Sequence, residues 1–112
     1  MDTLERLTIY VGESDHWQGQ PVYIALVEEA RRRGIAGATV TNGVAGFGKH
    51  QLLHTARIFE LSSDLPMVVT IIDRAESINS FVPIVQKMVA GGIVVQDTVK
   101  LVHHAPVDIP KS

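Results

Sequence analysis

Residues 66–73 read PMVVTIID, an apolar run with proline at its front and aspartate at its back. Because it is apolar at consecutive positions, the run fits a strand inside a sheet with helices against it better than a half-solvated edge. Asp73 and Glu76 follow with the D-x-x-E spacing of a capping box. Ile78, Phe81, Val82, Val85, Met88 and Val89 then recur at helical intervals, which predicts an amphipathic helix ended by Gly91-Gly92. Pro83 lacks the amide hydrogen that would bond to residue 79, so a bend or a delayed start is expected there. An inner strand running straight into such a helix commits the chain to a sheet with helices packed on it.

The remaining segments complete that layout. Leu7, Ile9 and Val11 alternate with Thr8 and Tyr10, so residues 6–12 read as a half-buried strand. GESDHWQGQ reads as a loop, and Pro21 fits a first helical position. Val22, Leu26, Val27 and Ala30 form the apolar stripe of a helix over 21–33. Glu28–Arg32 and Glu29–Arg33 are i,i+4 pairs in the favourable order. Arg31, Arg32 and Arg33 lie where the helix dipole favours cations, and Gly34 fits the position just past the end. ATVT after Gly37 reads as a strand, HTARIFELS as a short strand, and IVVQDTVKLV as the last. The order is β-α-β-loop-β-α-β. It predicts an α+β, ferredoxin-like βαββαβ sandwich, a four-stranded antiparallel sheet with two helices on one face. The domain is expected over residues 1–105, with an extended tail over 106–112.

The same pattern leaves one sheet face without helices, and the inner strand is apolar on that side too. Such a face aggregates unless covered, so a closed, symmetric homo-oligomer is expected. The chain has 112 residues, 46% of them apolar, and a formal charge of -2 with no basic or acidic block. Nothing in that balance points to nucleic acid or to an anionic membrane surface. There is no cysteine, which excludes disulfides and thiolate metal sites. No apolar run nears the roughly 20 residues of a membrane span, and MDTLERLTIYVG has no signal-peptide core. A cytoplasmic protein is expected.

Residues 37–48, GATVTNGVAGFG, place four glycines in twelve positions beside a strand, and KHQLLHTAR follows. A hairpin needs fewer. Glycine lets a ligand approach the backbone without a Cβ in the way, and successive amides in such a turn form an anion-binding nest. Lys49 and Arg57 add charge, and Arg57 can grip phosphate or carboxylate with two nitrogens. A loose hairpin with solvated basic residues accounts for the same letters.

The stretch GIAGATVTNGVAGFG, followed by HTARIFELSSDLPMVVTIID, resembles the PII-type signalling proteins. With Y-x-G-E-x-D, GIAGATV, GFG, HTAR-I and L-S-x-D-L-P in order, the chain carries a closer resemblance, to the PII-like family called domain of unknown function 190, across residues 4–103. The resemblance implies a PII-like trimer. In it, small effectors bind in clefts between subunits and set the conformation of a loop that touches target proteins. The matching loop covers about residues 46–57, and the implied effector-binding residues are Gly46, Phe47, Gly48, Lys49, His50, Arg57 and Glu13. The implied effector is an adenine nucleotide (AMP, ADP or ATP) or another anion, and a membrane transporter is the kind of target such proteins regulate. The second glycine-rich loop of PII proteins, T-G-x-x-G-D-G-K, is matched only by Met88-Val89-Ala90-Gly91-Gly92-Ile93, which is shorter and lacks the aspartate and lysine. The paired arginines beyond the last strand are also missing, with Val102-His103-His104 nearby instead. Fewer phosphates, or a different anion, fit this loop better than a tightly held ATP.

The rival reading is a trimeric divalent-metal protein, similar in architecture to the cation tolerance proteins, with Asp15, His16, His50 and His54 as ligands. Glu13, Asp15 and His16 can hold a cation; they can equally cap the following helix and bond loop amides. Trp17 beside them fits a packing anchor or a stacking surface for a ring. Ser62-Ser63-Asp64 reads as a turn, no nucleophile sits with an orienting base, and no catalysis is expected.

Overall fold

In the first strand, alternation separates two faces: Leu7, Ile9 and Val11 are buried, while Tyr10 between them is exposed. The structure is a computed structural model, and it describes residues 2–44 and 65–104. The order is β1 (Thr3–Gly12), β2 (His16–Trp17), β3 (Gln20–Pro21), α1 (Val22–Arg32), β4 (Gly37–Asn42), β5 (Pro66–Asp73), α2 (Ala75–Met88) and β6 (Ile93–Lys100). The long strands form one antiparallel sheet in the order β4-β5-β1-β6. Both helices pack on the face that carries Leu7, Ile9, Met67, Val69 and Ile71. Together they are the expected ferredoxin-like α+β sandwich, with β5 and β1 at its centre.

The apolar stripes do the packing. Val22, Ala25, Leu26 and Ala30 of α1 are buried, as are Ile78, Phe81, Val85 and Met88 of α2. α2 continues through Pro83 without a break. Pro83 is on the exposed side, where water can reach the carbonyl that loses its partner.

Four local expectations are corrected. Pro21 ends β3 and caps α1 instead of opening it; its ψ of 138 is extended. The Asp73–Glu76 capping box does not form. Asp73 Oδ1 accepts from the Arg74 amide at 2.7 Å and Oδ2 from the Ala36 amide at 3.0 Å, so the carboxylate ties the end of β5 to the entry of β4. Arg74 occupies the N-cap, with no side-chain cap bond. Glu29, not Glu28, serves the arginines: it accepts from Arg32 and, at 2.6 Å, from Arg33 Nε. Glu28 accepts from Gln20 Nε2 at 3.2 Å. Finally, the segment read as a loop contains the β2–β3 hairpin, turning on Gln18 (φ 50) and Gly19 (φ 87). Positive φ at both turn residues is the twist that two-residue hairpins prefer. Gly34, at φ 75, ends α1 as expected. The strand expected in HTARIFELS and the tail over 106–112 lie outside the described residues.

Among the described residues, three surface carboxylates are held below their ordinary pKa. Hydrogen bonds from Thr98 and Gln96 lower Glu5, those of Arg33 and Arg32 lower Glu29, and that of Arg6 lowers Asp97. A depressed carboxylate stabilises the fold above its unfolded pKa, and the gain disappears as pH falls through the folded value. The urea midpoint is therefore expected to stay level from pH 7 to about 5 and to drop below about pH 4, the ordinary carboxylate range. A midpoint that holds or rises between pH 5 and 3 contradicts that assignment.

Candidate functional site

Three crossings reach the same end of the sheet, because β1 and β4 finish there while β5 and β6 begin. They are the Gly12–Pro21 segment with its hairpin, the two flanks of the segment between β4 and β5, and the turn from α2 into β6. Backbone hydrogen bonds lock the first two together. Glu13 N donates to Leu65 O at 2.8 Å, and Gly43 N donates to Pro66 O at 2.7 Å. The second bond holds the outgoing and returning flanks at a fixed separation. Glycine at 43 allows this approach, since a Cβ there would stand 2.7 Å from Pro66 Cγ and push the proline aside.

The third crossing is held by contact. A Cβ on Gly92 would meet Tyr10 O closer than real side chains approach a carbonyl, and Val89 Cγ1 at 2.8 Å. Gly92 thus lets the turn lie directly on the end of β1. Its neighbour Gly91 has open space around it. Reading the sequence alone takes this pair as a helix end and a shortened second glycine loop. The close approach escapes it because Tyr10 lies far away in the chain. The doubled glycine is the available signal.

Of the expected effector-binding residues, Glu13 is brought to this end, through its own amide. Gly46, Phe47, Gly48, Lys49, His50 and Arg57 lie outside the described residues, as does His54. Asp15 acts locally: its Oδ2 accepts from Gly12 N at 2.9 Å, and its carbonyl accepts from Val22 N at 2.8 Å. His16 Nδ1 lies 2.6 Å from Ser14 O, an acceptor, so Nδ1 carries the hydrogen. Trp17 packs against the core. Among the described residues no three His, Cys, Asp or Glu side chains are grouped to hold a metal. In chemical terms, the described part of the site is a set of backbone crossings bonded to one another or packed close at two glycines.

Solved structures that share this fold include proteins described as PII-like. The chain matches the DUF190 family, described as "Uncharacterized ACR", over residues 4–101, and it belongs to that family. A UPF0166 protein of Aquifex aeolicus (strain VF5) is 38% identical over 91 residues, covering 81% of this chain and 87% of that protein. Among solved structures, CPII of Thiomonas intermedia K12, bound to ADP, AMP and acetate, superimposes with a TM-score of 0.64 at 14% identity, covering 90% of each chain. A protein of Thermus thermophilus described as PII-like gives a TM-score of 0.59 at 19% identity, covering 88% of this chain and 91% of that one. No helix of the described residues is long and apolar enough to cross a membrane.

Proposed function

We propose that this chain is a PII-like regulatory protein whose homotrimer binds a small anionic effector, of the adenine nucleotide class, in clefts between subunits. The observation that carries the reading is the convergence at one sheet end. Glu13 N bonds to Leu65 O, Gly43 N bonds to Pro66 O, and the Gly92 turn lies on the end of β1 at Tyr10. A ligand held beside these crossings can favour one loop conformation over another, which is what coupling to a partner protein requires. The chain does no chemistry of its own in this reading and works in the cytoplasm; a transporter is one class of partner. Support for the ligand class comes from CPII, a fold neighbour solved with ADP and AMP. The short turn over 88–93 favours AMP or ADP over ATP.

Isothermal titration of the wild-type protein with AMP, ADP and ATP tests this. Heat is expected with AMP or ADP, at least tenfold weaker binding with ATP, and loss of the signal in Gly48→Val. Silence with all three nucleotides, together with heat from Zn²⁺ that His50→Ala removes, would instead establish the metal reading.

A further inference from the structure

The sheet face away from the helices is built in rungs. Tyr10 stands between Val68 and Ile93, Thr8 between Thr70 and Val95, and Arg6 between Ile72 and Asp97. Tyr10, Ile93 and Val95 remain 45%, 47% and 48% exposed, so large apolar surface lies open beside β6. In the middle of these aliphatic rows sits one pair of charges. Arg6 Nε donates to Asp97 Oδ1 at 3.0 Å, and a second guanidinium nitrogen donates to Oδ2 at 2.6 Å. No other rung of the β1, β5 and β6 register places a charge on this face. The face is therefore apolar and electrically self-compensated. A strongly charged partner finds no counter-charge on it, whereas a second copy matches it in both respects.

Resting on the assembly proposed above, we infer that the Arg6–Asp97 fork fixes the register in which copies of this chain pack their open faces together. Two of arginine's five N–H groups point at Asp97, which leaves three to be satisfied once the face is covered. A register that brings the partner's own fork or threonine hydroxyls over Arg6 supplies acceptors. A slip that lays an aliphatic row there removes water from the charges and gives nothing back. Aliphatic rungs alone slide past one another with little penalty, so they supply adhesion without choosing an arrangement. A polar group in an apolar interface selects one arrangement in this way, usually with some loss of stability.

Sedimentation velocity across a concentration series tests the inference on three variants beside the wild type. Asp97→Asn leaves the guanidinium without its counter-charge, and the midpoint concentration for assembly is expected to rise at least tenfold. The paired change Arg6→Met with Asp97→Leu is expected to assemble as tightly as wild type but into several sizes. Exchanging the two charges, Arg6→Asp with Asp97→Arg, is expected to restore one size. A wild-type midpoint in Asp97→Asn, or a single wild-type size in the Met/Leu variant, overturns the inference while the assembly stands. A wild-type chain that sediments alone overturns both.

Discussion

Replacing Phe81 with alanine is expected to lower the stability of the fold by about 3–5 kcal/mol, the range for deleting a buried aromatic side chain. Phe81 is 1% exposed and heads the fully buried side chains of the described residues by size, in a cluster with Leu7, Ile9, Leu26 and Val85. It therefore joins both helices to the central strands. Phe81 also lines a groove with Arg33, Ile35, Ser77 and Ser80. Water entering the vacated space through that groove would hold the loss to the lower part of the range, because a hydrated cleft is less costly than a sealed void. Domains of this size are stable by roughly 5–15 kcal/mol, so even 3 kcal/mol is a large share. Urea titration followed by circular dichroism reads the effect, at one fixed protein concentration because assembly adds to apparent stability. A loss below about 1.5 kcal/mol would show that Phe81 is not the keystone its burial indicates. Val102→Ala is the matched control, since Val102 is 87% exposed.

Much of the fold can be read from residue order because its signals are local and redundant. The alternation at Leu7, Ile9 and Val11 and the helical recurrence of Ile78, Phe81, Val85 and Met88 each state a period and a buried face, and these residues are buried. The unbroken run at 67–72 states a strand without choosing its face, and Met67, Val69 and Ile71 are the ones buried. What the sequence hides are choices made by distant partners. Asp73 has the spacing of a cap, yet the Ala36 amide 37 positions away claims one of its oxygens. Glu28 and Glu29 are equivalent on paper, but Glu28 faces Gln20 and Glu29 alone meets the arginines. The hairpin at 16–21 escapes a sequence reading because each of its strands is two residues long, too short for any alternation to register. At the site the same division holds. Glycine content marks the crossings around residues 43 and 92, while their partners, Pro66 and the Tyr10 carbonyl, are facts of tertiary structure.

Gly92 is where that division has its sharpest consequence, and Gly92→Ala is expected to destabilise the protein by about 2–4 kcal/mol, in the upper range of overpacking. The added methyl would press on the Tyr10 carbonyl while standing 2.8 Å from Val89 Cγ1 and 3.0 Å from Val11 Cγ1. The two valines can yield slightly. The carbonyl cannot, because Tyr10 is paired on both sides, with Val68 of β5 and Ile93 of β6, and shifting it disturbs the centre of the sheet. Relief therefore has to come from the turn itself, which would lift off the end of β1. Gly91→Ala, one residue earlier, has nothing within 4 Å of its new methyl and is expected to change stability by less than about 0.5 kcal/mol. Urea midpoints of the two variants make the comparison, and equal losses would disprove the close packing of Gly92. The turn also belongs to the proposed effector cleft, so nucleotide heat should weaken in Gly92→Ala even at temperatures where circular dichroism shows it folded, and stay at the wild-type level in Gly91→Ala. Loss of stability with undiminished nucleotide binding would place the effector elsewhere on the molecule.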